Sequence, residues 1–198
     1  MYITRLAEET VKIKLSSKKV LIVLGARQVG KTTLVKHCLT NRTSTFLNLD
    51  IDVDRQKFIS ASKIPPREAL KILGDPEFIV IDEAQRLPDT GRIVKGWYDS
   101  DLPVKIILLG SSSLDILNQS AESLTGRNEK VFLTPFTYEE ALAPQGWYAE
   151  TLSRDRLLED YKEQIAATLE STLIYGGYPE AVLGGSKQEY LTNLVGDY

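Results

Sequence analysis

Val20-Leu21-Ile22-Val23-Leu24-Gly25-Ala26-Arg27-Gln28-Val29-Gly30-Lys31-Thr32-Thr33 is the stretch that decides how this chain folds. Its first five residues are an unbroken apolar run, the mark of a strand buried on both faces of a parallel sheet. The next eight fit G-x-x-x-x-G-K-[ST], the glycine-rich loop that wraps phosphate. Thr33 to Leu39 reads as a helix, so strand, loop and helix follow in the order that makes such a loop a site. Gly25 and Gly30 let the backbone turn tightly and bring its N–H groups against phosphate oxygens. The N-terminus of the following helix adds partial positive charge. Lys31 supplies a point charge for the β- and γ-phosphates, and the Thr32 hydroxyl is a hard oxygen ligand for Mg²⁺. Gly25, Ala26, Arg27, Gln28, Val29, Gly30, Lys31, Thr32 and Thr33 are therefore the expected nucleotide-binding segment. Arg27 either faces phosphate or is solvated. The ligand this implies is a nucleoside triphosphate with Mg²⁺.

Working outward, more buried strands appear at Thr45–Leu49, Phe78–Ile81 and Val104–Leu109, with Val131–Leu133 closing a fifth. Helical segments lie between them; Pro65-Pro66 opens one of these, a position that suits proline. In Met1 to Leu15, Ile3, Leu6, Thr10 and Ile13 fall near one helical face, which predicts a leading helix packed on the core. Alternating continuous apolar strands and helices predict an α/β fold, a parallel sheet with helices on both faces. Ligands in such sheets bind beyond the carboxyl ends of the strands, where the loop sits. After residue 146 the texture changes. Ser153 to Leu173 reads as a long helix with Leu157, Leu158, Tyr161, Ile165, Leu169 and Leu173 at helical spacing. Gly176-Gly177-Tyr178-Pro179 breaks it, and a short helix covers Lys187 to Val195. The expected division is a core over residues 1–146 and a helical region over 147–198.

Composition excludes several classes. With 24 basic and 27 acidic residues the net charge is −3, so no global field draws nucleic acid to the chain. One cysteine, Cys38, forbids an intrachain disulfide or a multi-cysteine metal site and suits a reducing cytoplasm. No apolar stretch approaches the roughly 20 residues that span a membrane, and Met1 to Lys14 lacks a signal-peptide core.

The rest of the site follows from strand ends. Phe78-Ile79-Val80-Ile81 leads into Asp82-Glu83, about fifty residues past the loop. Asp82 is placed to reach Mg²⁺ through water or Thr32, and Glu83 to orient or deprotonate an attacking water. The next strand ends in Gly110-Ser111-Ser112-Ser113. Ser111 is placed to hold the γ-phosphate or the water, unless the serines only cap the next helix, Leu114 to Leu117. Arg127, in Leu124-Thr125-Gly126-Arg127, is either an arginine finger on transferring phosphate or half of a surface ion pair. His37, Trp97 and Trp147 read as structural, and Cys38 as a small buried hydrophobe.

Taken together, these segments resemble a prokaryotic family of the AAA+ superfamily, ATP-binding proteins whose AAA-type core precedes a C-terminal domain of uncharacterised function. The matching segments are Gly25–Thr33, Ile81-Asp82-Glu83-Ala84-Gln85, Leu109–Ser113, Leu124–Arg127 and Gly176-Gly177-Tyr178-Pro179-Glu180. The resemblance implies a five-stranded parallel core followed by a helical lid or winged-helix-like region. It implies Lys31, Thr32, Asp82 and Glu83 in the roles above, Ser111 in the sensor position, and Arg127 as a functional arginine. In this chain Ala26 stands where the family commonly has proline, and the C-terminal domain is expected to be mostly or wholly missing.

Two functions fit. One is Mg²⁺-dependent ATP hydrolysis coupled to conformational change; the other is a switch that holds ATP or ADP, turns over negligibly and controls a partner. No Asn/Thr-Lys-x-Asp tetrad for guanine occurs, so ATP is expected over GTP. If Arg127 acts on a neighbour's nucleotide the active form is a homo-oligomer. A protein or DNA partner would come through the missing domain.

Overall fold

The computed structural model describes residues 2–111, 124–148 and 153–196. The chain forms two compact units: Ala7–Ala26 with Lys31–Leu133, and Met1–Leu6 with Arg27–Gly30 and Thr134–Tyr198.

In the first unit, α1 (Ala7–Leu15) leads into β1 (Val20–Leu24), α2 (Lys31–Cys38), β2 (Ser44–Asn48), α3 (Asp52–Ser62), α4 (Pro66–Ile72) and β3 (Phe78–Asp82). A 3-10 turn at Ala84–Arg86, α5 (Thr90–Asp99), β4 (Lys105–Gly110) and β5 (Asn128–Phe132) follow. The strands form one sheet in the order β2-β3-β4-β1-β5, every pair parallel. The apolar runs explain this. A strand with side chains pointing alternately to two faces can be apolar at every position only if both faces are covered, and every residue of β1, β3 and β4 is buried. On one face Val20, Ile22, Leu24, Ile79, Ile81, Ile106 and Leu108 join Phe58 and Ala61 of α3, Leu70 of α4, and Val94 and Trp97 of α5 in one core. Leu21, Val23, Val80, Ile107 and Leu109 are fully buried on the alternate positions. Trp97 is a packing residue as expected, its ring edge-on to Phe58 at 5.5 Å between centroids.

The start of the chain departs from the predicted stripe. Helix α1 begins only at Ala7, and residues 3–6 alternate instead, Ile3 and Arg5 buried, Thr4 and Leu6 exposed. That period-two burial is the signature of extended chain. Within α1 the buried residues are Glu8 and Val11 while Ile13 is exposed, as is Leu6 ahead of the helix.

In the second unit, α6 (Tyr138–Leu142) starts on a capping box: Thr137 Oγ1 accepts the Glu140 N–H and Glu140 Oε2 accepts the Thr137 N–H, which satisfies two otherwise orphaned donors. The long predicted helix is two, α7 (Arg154–Asp160) and α8 (Lys162–Tyr175), parted at Tyr161. The partly buried side runs through Leu157, Tyr161, Ile165, Thr168 and Thr172, and Leu158, Leu169 and Leu173 of the predicted stripe are exposed. Trp147 stacks on Tyr161 at 5.3 Å. Helices α9 (Pro179–Leu183) and α10 (Lys187–Gly196) complete the unit. Between them and α6, Phe136 N–H donates to Gly177 O at 2.6 Å. A Cβ on Gly177 would stand 2.2 Å from Phe136 O, so only glycine fits this approach. The elements among the described residues of this unit are helices, in keeping with the expected helical region. Among the described residues no helix is long and apolar enough to cross a membrane.

Candidate nucleotide-binding site

The parallel registers carry three chain ends to one edge of the sheet. Leu24 pairs with Gly110, so Gly25 and Ser111 emerge side by side. Ile81 pairs with Leu108, so Asp82 emerges on the far side of β4. In this strand order β1 stands inside the sheet while its chain leaves for the distant edge strand β2. Such a topological switch point is where open α/β sheets bind ligands.

Between Gly25 and Thr32 the backbone twice enters the left-handed region. Gln28 has φ 62° and Gly30 φ 92°. Glycine takes that conformation freely; Gln28 takes it at a cost of about 1–2 kcal/mol. Lys31 is buried, and its Nζ donates to Gly25 O at 2.9 Å and to Ala26 O at 2.8 Å. The ammonium therefore lies folded back across its own loop. Thr32 Oγ1 donates to Asp82 Oδ2 at 2.6 Å, joining the loop's last hydroxyl to the acid fifty residues later. Two hard oxygens this close suit a single small divalent cation.

Glu83 follows in a left-handed backbone conformation, φ 52° and ψ 43°. Its N–H donates to Asp82 Oδ1 at 2.9 Å, and its Oε2 accepts from Gln85 Nε2 at 2.5 Å. A non-glycine residue held there costs about 1–3 kcal/mol and persists only when its surroundings over-determine it. Gln85 Oε1 is buried and has no hydrogen-bond partner among the described residues. Its amide nitrogen is thus committed to Glu83.

The structure brings Lys31, Thr32, Asp82, Glu83 and Ser111 to the carboxyl edge of the sheet. It does not bring Arg127 there. Val20 N–H donates to Arg127 O, and Asn128 pairs with Val20, so Arg127 lies at the amino edge. Five residues of β1 separate it from the loop, about 16 Å at strand rise. Its Nε donates to Asp99 at 2.7 Å, and this ion pair keeps the guanidinium more firmly protonated than usual. Ser112, Ser113 and Leu114–Leu117 fall outside the described residues. Arg27 is exposed.

Other charged groups are held structurally. A cleft of about 520 Å³ opens at the amino edge, lined in part by Trp97, Leu102 and Lys105. Lys105 Nζ donates to the carbonyls of Lys14, Ser17 and Lys19, tying the end of α1 to β4, and burial lowers its pKa to about 8. His37 stands 3.7 Å from Glu8, and burial raises the Cys38 thiol to about 11.

Three contributors were not singled out by sequence. Gln85 holds Glu83; Arg5 Nη1 donates to Val29 O at 2.9 Å; Tyr190 Oη donates to Gln28 Oε1 at 2.8 Å. Only Arg5 left a trace, the alternation of Ile3 and Arg5 against Thr4 and Leu6, and an extended segment of four residues is too short to read.

The family model described as AAA domain matches residues 17–142, more than half of the chain. The chain belongs to that family and has its P-loop nucleotide-binding fold. It is 32% identical over 122 residues to an uncharacterized protein of Mycobacterium tuberculosis, Rv2008c, covering 61% of this chain and 26% of that one. It is 26% identical over 177 residues to an uncharacterized protein of Methanocaldococcus jannaschii, MJ1544, covering 87% of this chain and 38% of that one. The chain thus spans about a quarter to two fifths of the length of these curated relatives. Among solved structures it resembles the Walker-type ATPase PABY2304 of Pyrococcus abyssi, with a TM-score of 0.63 at 20% identity, over 97% of this chain and 68% of that one. The Aeropyrum pernix ORC1 protein, solved in complex with DNA, gives 0.54 at 14% identity over 100% of this chain and 66% of that one. These likenesses agree with the fold.

Proposed function

We propose that the chain is the motor core of a Mg²⁺-dependent ATPase of AAA+ type that couples hydrolysis to conformational change. The observation that carries this reading is the Thr32–Asp82 hydrogen bond at 2.6 Å, beside a backbone-strained Glu83 and a loop lysine. Bound at Thr32 and Asp82, Mg²⁺ would neutralise charge on the β- and γ-phosphates. The loop amides and Lys31 hold the triphosphate. Glu83 orients a water and takes its proton as the water oxygen bonds to the γ-phosphorus. The bond from that phosphorus to the β–γ bridging oxygen breaks, leaving ADP and phosphate. Ser111, next to Gly25, is in register to hold the γ-phosphate. Catalysis of this kind is positioning and charge stabilisation. Arg127, at the opposite edge, is held by Asp99, so any action on nucleotide would be on one held by a neighbouring subunit and would make the working form an oligomer. A protein or DNA partner would engage the remainder of a longer chain.

A second reading draws on the resting geometry. Gln85 occupies the Glu83 carboxylate and the loop carbonyls occupy Lys31, which suits a nucleotide-controlled switch that turns over little until a partner rearranges these groups.

Phosphate release from Mg²⁺-ATP, measured across a protein concentration series beside Glu83→Gln, decides between them. The ATPase reading expects turnover that falls at least about 100-fold in Glu83→Gln while nucleotide binding persists. Specific activity that rises with concentration, and ceases to do so in Arg127→Ala, supports a shared site. Tight binding without turnover selects the switch. Turnover unchanged in Glu83→Gln removes that residue from the mechanism.

A further inference from the structure

The second unit contains the middle of the phosphate loop, Arg27–Gly30, as well as the N-terminal segment and all the helices from α6 onward. Arg5 is the side chain that ties these segments together. It is buried and all three guanidinium nitrogens are engaged. Nε pairs with Glu140 Oε1 at 3.0 Å, Nη1 donates to Val29 O at 2.9 Å, and Nη2 donates to Thr134 O at 2.7 Å. The guanidinium plane also lies over the Phe136 ring, 4.8 Å from its centroid. Glu140 is fixed in turn. Its Oε1 accepts the Leu6 N–H at 2.7 Å, and its Oε2 belongs to the capping box of α6. Phe136 continues the tie into the Gly176–Pro179 turn through its bond to Gly177 O. A second tie reaches the preceding loop residue, where Tyr190 of α10 holds the side chain of Gln28.

The consequence for the loop follows from peptide geometry. In a trans peptide the C=O and the next N–H point in opposite directions. By holding the Val29 carbonyl, Arg5 aims the Gly30 N–H away from itself. Gln28, one position earlier, is kept in an unfavourable left-handed conformation that its bond to Tyr190 helps to fix. A phosphate loop works only when its N–H groups converge on the anion before it arrives.

We propose that Arg5, braced by Glu140, is a positioning residue that holds the Val29–Gly30 peptide in its anion-receptive orientation. With Tyr190 it makes nucleotide affinity depend on the second unit. This rests on the nucleotide-binding reading of the loop. It adds that the helices after β5 set how well the loop binds and, by thermodynamic reciprocity, that bound nucleotide orders those helices. Arginine is required because a lysine ammonium is a compact point charge, unable to present a fork to Glu140, Val29 and Thr134 together.

The test is equilibrium binding of Mg²⁺-ADP, with amide hydrogen exchange on the same samples. Wild type and Lys31→Met set the frame: a wild type that fails to bind ADP sinks the nucleotide reading itself. Given wild-type binding, Arg5→Lys is expected to bind at least about tenfold more weakly and to speed exchange at residues 27–31. Tyr190→Phe, which removes one hydroxyl at an exposed contact and leaves the fold intact, is expected to bind a few-fold more weakly. ADP is expected to slow exchange in peptides covering 134–142 and 187–196 of wild type, and not of Lys31→Met. Wild-type affinity in both Arg5→Lys and Tyr190→Phe overturns the proposal, as does exchange in those peptides that ignores ADP. Should Arg5→Lys fail to fold, Tyr190→Phe and the exchange response decide.

Discussion

Removing the loop lysine is the perturbation whose size the structure sets most directly. Lys31 is 5% exposed and spends its charge on the carbonyls of Gly25 and Ala26, at 2.9 and 2.8 Å. To hold nucleotide it must exchange those two acceptors for phosphate oxygens. A unit charge pair about 4 Å apart at an effective dielectric near 20 is worth about 4 kcal/mol. The two carbonyl bonds given up cost back about 0.5–1 kcal/mol each. The net contribution is about 2–3 kcal/mol, so Lys31→Met is expected to weaken Mg²⁺-ADP binding roughly 30- to 150-fold. Isothermal titration of wild type and variant measures this, with circular dichroism and thermal melting as checks on the fold. A folded Lys31→Met that binds within about threefold of wild type would refute the exchange of partners on which the figure rests.

Two further outcomes test the scaffold. Phe58 is fully buried against Trp97 in the core under the sheet; Phe58→Ala is expected to cost about 3–5 kcal/mol in urea unfolding followed by Trp fluorescence, and a loss below about 1 kcal/mol would mean that this core repacks freely. The Cys38 thiol is raised from 9.0 to about 11, by burial first and by Glu8 second, so at pH 8 its thiolate fraction is about 100-fold below that of the unfolded chain. Alkylation by iodoacetamide, timed by mass spectrometry in native buffer and in denaturant, should differ by that factor. Because the folded pKa is the higher one, the stability tied to the neutral thiol is present below pH 9 and lost as pH rises toward 11. Equal alkylation rates would contradict the burial.

What the sequence determined by itself was whatever depends on local pattern. The short apolar runs Val20–Leu24, Phe78–Ile81 and Ile106–Leu109, alternating with helical segments, read as doubly buried strands, so the parallel α/β sheet was legible. The Gly25–Thr32 octet was legible because phosphate binding needs particular residues at fixed spacing along one loop, and Asp82-Glu83 because a strand delivers its next residue to the edge of the sheet. Tertiary structure decided what depends on distant segments meeting. Strand order and register placed Ser111 beside Gly25 and set Arg127, immediately before β5, at the amino edge, across the sheet from its own loop; no pattern along the chain encodes which strands become neighbours. The spacing of Leu158, Leu169 and Leu173 looked like part of a core stripe, yet the partly buried side runs through Leu157, Tyr161, Ile165, Thr168 and Thr172 and leaves those three exposed. Arg5 and Glu140 lie 135 positions apart and Tyr190 and Gln28 lie 162 apart. An isolated arginine or tyrosine looks the same in sequence whether solvated or buried, and only the closed fold, by removing water from Arg5 and offering it a carboxylate and two carbonyls, gave that cation a specific place on the loop.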